Sequence, residues 1–152
     1  SRKPDLLGED YAGVLVPIPV DQDLSSLSAI MLDDGYYGLL KRGCYFAGGL
    51  SCLKPEYLIV FKAKAWLDLR ERKLHGEPID SKKINKHKND ILRLYQILQP
   101  QTRISLDTEI ASDMQGFISL LEKDHLPLNE LGIKNRSVNE VVYALRRMFS
   151  LV

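Results

Sequence analysis

Apolar residues recur at helical spacing through the middle and the end of this chain. Between Pro55 and Gln99 the pattern predicts two helices joined by a short loop. At about 100° per residue, Leu58, Phe61, Ala65, Trp66 and Leu69 gather on one stripe of the first helix, which runs from Pro55 to about Arg72. Pro55 sits where a missing N–H costs least, and Gly76 and Pro78 stop the helix. Asp80 or Ser81 is placed to cap the second helix, which continues to about Leu98 with Ile84, Ile91, Leu94, Tyr95 and Leu98 on its apolar face. Three polar residues interrupt this order. Lys62 lies in the middle of the first stripe, His87 lies inside the second, and Asp90 lies on its flank.

The same reasoning extends to both sides of the pair. Residues 1–10 are polar and read as a linker, and Val14–Val20 is β-prone but carries Pro17 and Pro19, which remove ladder donors and leave an edge strand or extended arm. Leu27–Leu32 is too short for periodicity to separate helix from strand. Tyr36–Lys41 reads as a short helix closed by Gly43. Cys44–Ala47 and Leu50–Leu53, separated by Gly48-Gly49, give the strongest hairpin signal in the chain. After Pro100, Ser105 or Asp107 caps a helix from about Thr108 to Lys123, with Ile110, Met114, Phe117, Ile118 and Leu121 on one face. Ser137 and Glu140 form a capping box for a last helix to about Phe149. The expected fold class is α+β and mainly α. A β-containing connecting region over residues 1–53 leads into a helical domain over residues 54–152, a bundle of about four helices.

Composition narrows the function classes. At 45% hydrophobic and 27% charged, the sequence is that of an ordinary globular protein rather than a disordered one. Lys+Arg 21 against Asp+Glu 20 leaves a formal charge of +1, so bulk basicity gives no argument for nucleic acid. No apolar run is long enough to span a membrane. Cys44 and Cys52 flank the hairpin turn and no secretory signal accompanies them, so reduced thiols and a cytoplasmic location are expected. A zinc site needs two further ligands at suitable spacing, and His75 stands alone, so no metal ligands are assigned. The opening Ser1-Arg2-Lys3-Pro4-Asp5 has neither a Met nor the start of a folded element, and reads as the beginning of a piece of a longer protein.

Several side chains carry candidate chemistry, each with a plain structural alternative. An ammonium inside an apolar stripe, as at Lys62, either snorkels, pairs with a carboxylate, or faces a phosphate at the mouth of a cleft. Lys64, Asp68 and Arg72 step along the polar face at ion-pair spacing, and Arg70 or Arg72 is also placed to grip a phosphate. His87 and Asp90, three apart, are neighbours on one helix surface, where a carboxylate orients an imidazole. Lys82, Lys83, Lys86, Lys88 and Arg93 crowd the same helix, more simply as a solvated basic face than as a nucleic-acid patch, since only Tyr95 is aromatic there. Asp21-x-Asp23 reads as turn chemistry rather than a metal-binding pair.

The run from Leu50 to Leu69, with Lys62 and Lys64 at its centre, and the segment Lys86-His87-Lys88-Asn89-Asp90-Ile91-Leu92-Arg93-Leu94 together resemble a known family. They are similar to the C-terminal half of bacterial nucleotidyltransferase-like proteins related to the AbiEii/AbiGii abortive-infection toxins, within the polymerase-beta-like superfamily. The resemblance covers about residues 1–98. It implies an upstream catalytic palm with a Gly-Ser loop, an Asp-x-Asp pair and a third carboxylate holding Mg²⁺ and an NTP, none of which this sequence contains. It matches Lys62 or Lys64, and Arg70 or Arg72, to a helical Lys–Arg motif, and Asp90 to the leading aspartate of the next; the second aspartate of that motif is Arg93 here.

The resulting expectation is the C-terminal part of a protein that transfers a nucleotidyl group from an NTP to an acceptor the sequence does not name, RNA or protein being the candidate classes, and that is inactive without its N-terminal nucleotidyltransferase domain. Lys62 and Asp90 are then the catalytic candidates, with Lys64, Arg72 and His87 as phosphate-binding or supporting residues. The alternative is a non-enzymatic helical module that binds a protein partner or RNA through the Lys82–Lys88 face. A completed cleft requires Lys62 and Asp90 within a few ångströms of each other, whereas a docking module leaves Lys62 splayed to solvent.

Overall fold

A computed structural model describes Ile30 and residues 33–151. The proposed linker over residues 1–10, the Val14–Val20 arm, the Asp21–Asp23 pair and all of the 27–32 segment except Ile30 lie outside the described residues. The element order is α1 (Asp34–Gly43), β1 (Cys44–Ala47), β2 (Leu50–Leu53), α2 (Pro55–Leu74), α3 (Ser81–Ile97), α4 (Thr108–Leu121) and α5 (Val138–Met148). The chain is therefore α+β and mainly α, and among the described residues one antiparallel hairpin feeds a bundle of four helices. Among the described residues no helix is long and apolar enough to cross a membrane.

Local chemistry sets the element boundaries. Asp33, Asp80, Asp107 and Ser137 each accept backbone N–H groups of the first helical turn, so side-chain oxygens start α1, α3, α4 and α5. The residue before α2, Lys54, supplies no such cap, and Pro55 instead removes one N–H from the set that needs a partner. At its far end α2 closes on Gly76, at φ 94°, with Gly76 N–H donating to Lys73 O and Glu77 N–H to Arg72 O. That is the paired pattern of a Schellman turn. The end of α5 repeats it with Ser150 in the left-handed position, at φ 56°. The hairpin turn has positive φ at both Gly48 and Gly49, as a type I′ turn requires.

Gly43 departs from its expected role. It is the last residue of α1, its φ is not positive, and the helix ends on an extended Cys44. A Cβ at Gly43 would overlap the ring of Tyr57, so glycine is needed there for the close approach of α1 to the start of α2. The ladder pairs Cys44 with Leu53 and Tyr45 with Cys52. Successive strand side chains alternate in face, so the thiols leave the ribbon on opposite sides, and both are free.

Helix α2 is the central element. Beyond the expected stripe, Ile59, Val60 and Ala63 are fully buried as well, because α3, α4 and α1 pack around it. Trp66 meets Phe117 of α4 edge-on at 5.3 Å, and Tyr36 of α1 meets Phe61 at 5.9 Å. Tyr36, Leu39 and Leu53 belong to the same hydrophobic core as the helical bundle.

Candidate functional site

Lys62 and Asp90 meet across the α2–α3 seam. The Lys62 ammonium donates to Asp90 Oδ2 at 2.9 Å, with side-chain exposures of 9% and 20%. The other oxygen of Asp90 accepts from the Arg93 guanidinium at 3.1 Å, and Arg93 is largely in solvent. The carboxylate thus faces a buried cation on one side and the surface on the other. His87, three residues earlier on α3, is buried as well, at 3% exposure.

The remaining candidates do not join this pair. Lys64, two residues on, points elsewhere because successive helical residues diverge by about 100°. It bonds Asp113 Oδ2 of α4 at 3.0 Å and lies 5.3 Å from the centre of the Tyr36 ring. The same Asp113 oxygen accepts from the Tyr36 hydroxyl at 2.7 Å. Burial and the neighbouring carboxylates, Asp113 foremost, raise the Tyr36 pKa far above the ordinary phenol value. Arg72 is held by Asp68 and Glu77 near the end of α2, and hydrogen bonding to Glu77 raises its pKa further. Arg70 stacks on Trp66, with its guanidinium carbon 4.4 Å from the ring centre. The supposed phosphate-binding group is therefore dispersed over several surfaces of the bundle.

Lys88 requires a correction. It is not part of a solvated basic face but is buried, donating to Asp124 at 3.2 Å and to the His125 carbonyl at 2.8 Å. The signal was the one that marked Lys62: Lys88 sits four residues after Ile84 and three before Ile91, inside the apolar face. Its membership of a lysine-rich run concealed this.

Among the described residues no group of three or more His, Cys, Asp or Glu is gathered so that it can hold a metal ion.

A groove of about 450 Å³ opens elsewhere, between the end of α3, the 98–102 segment, the 132–136 loop and α5. Gln96 on α3 donates to the Leu131 carbonyl at 2.9 Å, and Ile104 N–H donates to the Met148 carbonyl at 2.8 Å, tying the walls together. Its charged lining includes Lys134 and Arg136 in the loop before α5 and Arg147 on the exposed side of α5, positions that hydrophobic periodicity does not distinguish. No protein-family model matches this chain, and no curated protein and no solved structure matches it.

Proposed function

We propose that this chain is the C-terminal helical lobe of a nucleotidyltransferase-like protein, in which Lys62 and Asp90 complete a nucleotide cleft built mainly by a palm outside the described residues. The single observation that supports the reading is the 2.9 Å contact between the two residues at a helical seam, with Asp90 still reaching the surface. Transfer of a nucleotidyl group depends on positioning and charge neutralisation more than on covalent chemistry from the protein. A lysine whose ammonium is fixed by an aspartate provides a positive charge at one defined place. Arg93 on the second Asp90 oxygen holds the carboxylate in register. Mg²⁺ and the NTP would belong to the palm, and the lobe by itself would be inactive.

The test is label transfer from radioactive NTPs by the full-length protein, with Lys62→Ala and Asp90→Ala compared against Lys88→Gln. Lys88 is also a buried lysine paired with an aspartate, so it reports what loss of such a pair does to folding alone. The reading requires transfer to fall at least tenfold in the first two variants and to persist in the third. Equal transfer in all of them, or none by the wild-type full-length protein, overturns it. The alternative, docking through the Lys82–Lys88 face, has weaker support because Lys88 is buried and paired.

A further inference from the structure

Most of the basic side chains that the bundle brings near its core are already matched. Lys62, Lys64, Arg72, Lys88, Arg93 and Arg146 all contact carboxylates. The groove beside α5 is different. Lys134, Arg136 and Arg147 line it, and among the described residues none of the three makes an ion pair. Glu140 is the one carboxylate in the lining. Asn135, at φ 61°, makes a left-handed turn between Lys134 and Arg136.

The rest of the lining narrows the chemistry of the occupant. The aliphatic floor is itself closed over, with Ile133, Leu145 and Met148 at 4%, 1% and 4% exposure. Half-buried Leu98 and Ala144 and exposed Pro100 leave some apolar surface beside this floor. An occupant also meets the three cations, the Glu140 carboxylate, the free amide oxygen of Gln96 and amide nitrogen of Gln99, and the rings of Tyr95 and Tyr143. Tyr143 is 54% exposed, and the Arg147 guanidinium lies 5.8 Å from its ring centre. Cations for phosphates, flat rings for unpaired bases and amides for base edges are what a single strand requires. A concavity of about 450 Å³ admits a nucleotide or two but not a duplex.

We propose that this groove binds one or two nucleotides of a single-stranded nucleic acid, with phosphates on Lys134, Arg136 and Arg147 and a base against Tyr143. The inference stands independently of the nucleotidyl-transfer reading, since it uses none of the same side chains. The test uses fluorescein-labelled ten-nucleotide uridine RNA, with binding followed by anisotropy across a salt series. Each of Lys134→Ala, Arg136→Ala and Arg147→Gln should reduce the slope of log affinity against log salt by about 0.7, one phosphate contact each. Tyr143→Ala should weaken binding about fivefold or more, and Tyr143→Phe should restore it. Circular dichroism and urea midpoints check that the variants remain folded. Slopes unchanged in folded charge variants, or Tyr143→Phe no better than Tyr143→Ala, overturn the proposal. So does a duplex of the same length, or a polyglutamate peptide, that binds as tightly as the strand.

Discussion

Asp90→Ala removes the carboxylate that the Lys62 ammonium bonds at 2.9 Å, at a place where the Lys62 side chain is 9% exposed. Breaking a buried ion pair from one side costs about 3–5 kcal/mol, because the remaining charge stays desolvated. Asp90 is 20% exposed, so water can partly replace it, and the expected loss is at the low end, about 3 kcal/mol. Lys62→Met keeps the stem in the stripe and leaves Asp90 with Arg93 at 3.1 Å, so it should cost less, about 1 kcal/mol. The double variant Lys62→Met/Asp90→Ala strands no buried charge and should be no worse than Asp90→Ala. With single costs of about 3 and about 1 kcal/mol, the cycle then gives a coupling energy of at least about 1 kcal/mol. Urea unfolding followed by the fluorescence of the single tryptophan, Trp66, which is buried against Phe117, measures each state. The m-value should stay constant, since the exposed area hardly changes. Additive effects below about 0.5 kcal/mol for each single variant would refute the reasoning, because surface pairs behave in that way.

Ser150→Gly should stabilise the chain by about 0.5 kcal/mol in the same assay: a left-handed non-glycine residue costs about 1–2 kcal/mol, and glycine returns part of that as chain entropy. Gly43→Ala should destabilise by about 1 kcal/mol, because the clash with Tyr57 exceeds the gain in helix propensity, whereas Gly38→Ala in the same helix meets nothing within 4 Å and should stabilise. Tyr36→Phe should cost about 1–2 kcal/mol at pH 8 through loss of the bond to Asp113. The Tyr36 pKa is raised in the folded state, so its contribution is fully present below the unfolded value of about 10 and is lost as pH rises above it. The stability gap between wild type and Tyr36→Phe should therefore narrow above pH 10, and a gap that widens contradicts the assignment.

The elements themselves were legible because their signals are local. The Leu58–Leu69 stripe, the caps at Asp80, Asp107 and Ser137, and the Gly48-Gly49 turn each depend on residues within a turn or two of one another. Partner choice was not legible to the same degree. Lys62 interrupts an apolar stripe and Asp90 flanks the apolar face of the next helix, so their meeting is within reach of periodicity. Lys64 finds Asp113 forty-nine residues away, and Asp113 stands beside Met114 on the flank of a stripe that periodicity shows only as apolar. Gly43 carried a helix-end signal, and only the position of the Tyr57 ring reveals why a side chain is not tolerated there. The groove brings residues 95–102 against residues 132–148, across the whole of α4 and its loops, so no short window of sequence contains it.

One oxygen atom of Asp113 receives both the Tyr36 hydroxyl and the Lys64 ammonium, so three helices converge on a single acceptor. Pulling α1 away would leave the carboxylate with half of its neutralising shell and expose the Tyr36 ring that lies over Phe61. Detachment of the first helix and loosening of the bundle thus become one event rather than two. Amide hydrogens of residues 37–40 should exchange in step with those of α2 and α4, although α1 is ten residues long.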